Sequence, residues 1–175
     1  MARTGDGSTC LGADHVTAAE NTGGDQHTRK TPMNPEQNAA TYRRWFDEGC
    51  SQGNVDLADE LYSPDYFSHA VRPGLPPTVE GLKTFIRALR EGLPDMRCPA
   101  EDVIAEGDRV AGRFSIRGTH RGTLLGIPAT GNRVEASVMV IARFDEAGKW
   151  VEEWVCWDQV GLFQQLGVMP APAAA

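Results

Sequence analysis
The chain has 175 residues, 41% of them apolar and 23% charged, the composition of a soluble one-domain protein long enough to bury a core without metal or disulfide staples. Its formal charge of −7 excludes a surface of clustered Lys and Arg built for phosphate, so neither nucleic acid nor acidic lipid is an expected partner. Four cysteines, Cys10, Cys50, Cys98 and Cys156, stand about 40 to 60 residues apart with no CxxC pair, which points to free thiols in a reducing cytosol and to no metal site.

Residues 1–33 contain no aromatic residue and no Ile. Such a stretch cannot bury enough apolar area to offset its ordering entropy, and a disordered tail is expected there, with Met33 as an alternative start. His15 and His27 fall within it and are read as solvated. No apolar run of signal-peptide or membrane-span length occurs, so a cytoplasmic protein without membrane contact is expected.

Order is expected from Asn34-Pro35-Glu36, a helix cap followed by Pro at the first helical position. Ala39, Tyr42, Trp45, Phe46 and Gly49 then recur at helical spacing as far as about Gly53. Asn54 opens a second, short helix with Val55, Leu57, Ala58, Leu61 and Tyr62 as its apolar positions, ended by Ser63-Pro64-Asp65. An irregular stretch holding His69 and the Pro-rich run 73–77 follows. Thr78 caps a third helix with Leu82, Phe85, Ile86, Leu89 and Leu93 on one face, which Pro94 stops.

From Met96 the apolar period changes to two. Strands are predicted over 98–105, 109–119, 133–144 and 149–158, separated by Gly-containing turns, with a closing helix over 160–166 and a loose tail over 169–175. Helices first and strands after indicate an α+β fold with an antiparallel sheet, in one domain over 34–168. Along the second of these segments, Val110, Gly112, Phe114, Ile116, Gly118 and His120 share a parity opposite Arg113, Ser115 and Arg117. In the last, Trp150, Glu152, Trp154, Cys156 and Asp158 share one face and Val151, Glu153, Val155 and Trp157 the other. On this parity, Asp158 ends an aromatic wall, where burial would make it a better base near neutral pH.

Several segments resemble those of the SnoaL-like polyketide cyclases, also called the ester cyclase family. These are the closing run Gly148-Lys149-Trp150-Val151-Glu152-Glu153-Trp154 through Asp158 to Gly167, the segment Tyr62 to His69, the step Leu93-Pro94-Asp95-Met96-Arg97, and Gly118-Thr119-His120-Arg121-Gly122 through Gly131. Collinear and correctly spaced, they cover about residues 36–168. The resemblance implies a nuclear transport factor 2-like cone, three N-terminal helices packed on a curved antiparallel sheet that encloses a pocket. It also implies a role in secondary metabolism such as antibiotic biosynthesis, with intramolecular aldol closure of a polyketide ester by an Asp general acid/base and no cofactor.

On that reading Asp158 is the base and His120 its partner, while His69, Trp154, Phe114, Trp45 and Tyr66 bind an apolar, aromatic substrate. Each has a structural alternative. Asp158 is placed to cap the closing helix, the histidines to hold strand ends, and the aromatics to fill a core. Some relatives carry a further His on the strand matching 137–143, where this chain has none. Relatives also act as cofactor-independent hydroxylases, and a non-catalytic ligand-binding module stays open. The second face of the last strand, with Val151, Val155 and Trp157, leads to the expectation of a homo-oligomer, dimer or tetramer.

Overall fold
The computed structural model describes residues 34–170 apart from Val71 and Pro73. The expectation for residues 1–33 lies outside the described residues, as does most of that for 169–175. Helix α1, Pro35–Arg44, starts where Asn34 accepts hydrogen bonds from the Glu36 and Gln37 amides, with Pro35 in the first turn. It runs without a break into a wider π-helical segment, Trp45–Ser51, and the chemistry of the widening is local. The Ser51 hydroxyl donates to the carbonyl of Phe46, five residues back, at 2.8 Å, and Gly49 lets the Trp45 indole fold over the helix. A Cβ on Gly49 would stand 2.3 Å from that ring.

The second helix is shorter than the sequence suggests. A 3₁₀ turn, Val55–Leu57, leads into α2, Ala58–Leu61, and Tyr62 already opens a strand, β1, Tyr62–Ser68. The stretch before His69 is therefore a sheet edge and not an irregular segment. Pro64 hides it, because Pro cannot donate to a ladder, and an edge strand tolerates it where a central strand would not. Helix α3, Val79–Gly92, follows as expected, with Thr78 accepting from the Gly81 amide and Leu82, Ile86 and Leu89 buried.

Strands β2 (Ala100–Glu106), β3 (Arg109–Thr119), β4 (Arg133–Phe144) and β5 (Trp150–Trp157) and helix α4 (Gln159–Gln165) complete the order of elements. The sheet runs β1-β5-β4-β3-β2, and the expected α+β class with a curved sheet is what forms. Its β2 to β5 pairs are antiparallel as expected, but β1 pairs with β5 in parallel. Helix α1 lies against the inner face of the sheet at Gly112, where a Cβ would come within 2.6 Å of the Tyr42 phenol. Behind it the Trp150 indole is stacked between Tyr42 at 5.3 Å and Tyr62 at 5.0 Å, an arrangement worth about 0.5–1.5 kcal/mol per aromatic pair beyond its buried area.

Candidate active site
The inner face of the sheet and the helices enclose a cavity of about 730 Å³, within the range of small-molecule sites. Trp45 and Phe46 from the π-helical segment, Phe85 from α3, Phe114 from β3, Trp157 from β5 and Phe163 from α4 form its aromatic walls. Which residues of β5 face it is decided by a bulge. Phe144 pairs with Trp150 but Arg143 pairs with Glu152, so Val151 is an extra residue, and the alternation reverses past it. Trp150 points inward, and after the bulge Glu153, Val155 and Trp157 do so, opposite the buried Ala142, Val140 and Val138 of β4. The expected face of Trp154, Cys156 and Asp158 becomes the outer one. The parity expected for β3 holds, with Val110, Phe114 and Ile116 buried on its inner side.

The inversion brings a carboxylate into the cavity wall. Glu153 is 3% exposed and lines the cavity beside Arg72. Its Oε1 accepts from the Arg72 guanidinium at 2.6 Å and from the Ser68 hydroxyl at 2.8 Å, and Arg72 donates a further hydrogen bond to Ser68 Oγ at 2.7 Å. Burial pulls the Arg72 guanidinium down, but the charge and hydrogen bond of Glu153 outweigh it, and the group stands above its ordinary value. Arg72 lies over the Phe85 ring, its central carbon 5.3 Å from the centroid. A carboxyl group placed to act as a base, a cation able to stabilise negative charge on oxygen, and apolar walls that strengthen both effects are thus gathered at one place.

The sequence-predicted residues separate into three groups. Trp45 and Phe114 line the cavity. Tyr66 is buried beneath it, edge-on to Tyr62, its hydroxyl without a partner among the described residues, and burial followed by the charge of Glu153 pushes its pKa up. His69 and Trp154 come together on the outer face. Their rings stack at 4.7 Å, and His69 Nε2 lies 2.8 Å from Glu152, whose own carboxyl is held below its usual range by hydrogen bonds from His69 and Arg143.

Asp158 is exposed and is not part of the cavity lining. Its Oδ1 accepts from the Gly161 amide at 2.8 Å, capping α4. His120 is fully buried in the β3–β4 connection, away from the lining, with Nδ1 accepting from the Thr130 amide at 3.2 Å and 3.0 Å from the Thr130 hydroxyl. The missed residues are Arg72 and Glu153. Their only sequence signals are an Arg in a Pro-rich loop and a Glu-Glu pair in which parity selects the wrong member. No group of His, Cys, Asp and Glu suited to holding a metal occurs among the described residues, nor is any helix among them long and apolar enough to cross a membrane.

Comparison with known proteins agrees with the fold. The profile of the SnoaL-like polyketide cyclases matches residues 40–166. The solved structure of IdmH from Streptomyces antibioticus, a candidate polyketide cyclase, is 31% identical with a TM-score of 0.66, over 75% of this chain and 99% of that one. A candidate SnoaL-like polyketide cyclase from Jannaschia sp. CCS1 is 26% identical with a TM-score of 0.67, over 78% and 95%. AclR from Streptomyces galilaeus, a candidate hydroxylase, shares the fold at 24% identity and a TM-score of 0.68, over 79% and 85%. No protein of curated function matches the sequence.

Proposed function
Because the chain belongs to the SnoaL-like polyketide cyclase family, we propose that it closes a ring in a polyketide ester or related carbonyl compound by intramolecular aldol condensation, with Glu153 rather than Asp158 as the general acid/base and no organic cofactor. The observation that carries this reading is the buried Glu153–Arg72 pair on the wall of an aromatic cavity. Glu153 takes a proton from a carbon flanked by carbonyls, and Arg72 stabilises the enolate oxygen. The enolate carbon attacks a second carbonyl of the same molecule, a carbon–carbon bond forms, and the resulting alkoxide recovers the proton from Glu153. Aromatic walls hold the chain folded for that attack, which replaces a costly bimolecular encounter.

Asp158 and His120 have a weaker basis for this role, since an exposed cap and a buried strand-end His do not border the cavity. The test is deuterium exchange and cyclisation of aromatic poly-β-keto methyl esters. Glu153→Gln keeps the shape of the side chain and removes the base, and is expected to slow both reactions by about 10²–10⁴. Asp158→Asn keeps the cap and is expected to leave the rate near native. A native rate in the first variant, or product carrying oxygen from labelled O₂, would refute the reading.

We also propose that the chain forms a homo-oligomer through the outer face of the sheet. Ile104, Ala111, Ile141 and Trp154 stand directly opposite one another across β2, β3, β4 and β5, with Met139 beside Cys156 in the next row. Ile104, Met139 and Ile141 are all exposed, and an apolar row of this width supports burial against a second copy.

A further inference from the structure
Two thiols belong to the cavity wall without entering the chemistry above. Cys50, in the π-helical segment, and Cys98, just before β2, are each 2% exposed, both line the cavity and both are free. Their main chains are fastened to one another from either side. The Cys98 amide donates to Ser51 Oγ at 2.8 Å, next in sequence to Cys50. One Arg90 nitrogen donates to the carbonyls of Cys50 and Ser51 at 2.9 Å each and reaches that of Met96 at 3.5 Å, and Arg97 adds a bond to the Ser51 carbonyl at 3.2 Å. Burial, the larger cause, and the neighbouring Cys98 push the Cys50 thiol well above its usual range.

We infer that Cys50 and Cys98 are a paired-thiol site that a low-molecular-weight disulfide, entering through the cavity, converts to an intrachain disulfide. One thiolate attacks a sulfur of the small disulfide and expels a thiolate, which takes up a proton. The second cysteine, as thiolate, attacks the mixed disulfide at the protein sulfur and expels the other small thiol. The balance is two protein thiols and one small disulfide giving one protein disulfide and two small thiols. Because both residues line the cavity, the cross-link ties the π-helical segment to the entry of β2 and alters the wall that a ligand meets. Burial keeps the pair slow toward solution reagents, so exposed Cys156 reacts ahead of it.

The experiment uses the full-length chain with Cys10→Ser and Cys156→Ser, leaving this pair alone, incubated folded with oxidised glutathione and then analysed by intact mass and peptide mapping. The expected result is the loss of two hydrogen atoms, one linked peptide joining Cys50 to Cys98 and no alkylatable thiol after unfolding, all reversed by dithiothreitol. In guanidinium, where nothing holds the two residues together, glutathione adducts are expected to predominate over the link. Stable glutathione adducts on either cysteine in the folded chain, two thiols still alkylatable after unfolding, or the same share of adducts folded as in guanidinium would overturn the assignment. The same peptide mapping on the unsubstituted chain gives the answer if the serine replacements disturb folding.

Discussion

Asp158 and Glu153 are both acidic residues of the closing run, and only their environments separate them. Asp158 directly precedes α4, the place where a short acceptor satisfies an amide that the helix leaves free, and the Gly161 amide takes that role. This function was legible in the residue types alone. Glu153 sits where water is excluded, and an unpaired charge there would be costly, so Arg72 and Ser68 are part of what makes it tolerable. Asp95 is a third carboxylate with a different task. It accepts from the Thr119 amide at 2.7 Å and from the Thr119 hydroxyl at 2.8 Å, tying the end of α3 to the end of β3. Those bonds, the backbone one first, hold its carboxyl below the ordinary 3.8. A carboxylate depressed by folding stabilises the fold fully above its unfolded value and loses that contribution as pH falls through the folded one. Asp95→Ala is therefore expected to lower Tm near neutral pH, with the gap to the native chain closing by about pH 2. A gap independent of pH in thermal unfolding would contradict this.

Elements were readable wherever periodicity ran without interruption. The bounds of β3 and β4 agree with the sequence pattern because each strand has a period-two apolar pattern, regular throughout in β4, and ends at a turn. β5 has the same composition cues, but one extra residue, Val151, reverses every side chain beyond it, and nothing in an apolar strand with large residues on both faces reveals such a bulge. That single residue moved the expected wall of Trp154 and Asp158 to the outside and put Glu153 and Trp157 within. β1 escaped notice for the opposite reason, since Pro64 argues against a strand unless the edge position is known. The packing of α1 on the sheet depends on a missing side chain. Gly112→Ala places a methyl group 2.6 Å from the Tyr42 phenol, and the expected cost is about 1–3 kcal/mol in urea denaturation. An unchanged midpoint would mean that Tyr42 yields without loss.

At the scale of the molecule, the sheet has one face closed over a cavity and another that carries an apolar row flanked by ion pairs. Arg113 bonds Glu101 and Asp102, and Arg143 bonds Glu152. Such a border satisfies the charges within each chain and leaves the apolar row available to the proposed second copy. Ile141→Glu places a charge in the middle of that row, and light scattering is expected to report an oligomer for the native chain and a monomer for the variant. A monomeric native chain at micromolar concentration would refute self-association through this face. The sequence by itself determined the class of fold, the order of the main elements, most caps and turns, and the inward parity of β3, because each follows from neighbours a few residues apart. Only the tertiary structure decided which residues line the cavity. Arg72 and Glu153 lie 81 residues apart, Cys50 and Cys98 come from a helix and the approach to a strand, and what joins each pair is strand register and chain crossing. Register depends on a bulge that local composition does not encode, so the residues facing the cavity emerge only when the sheet is assembled.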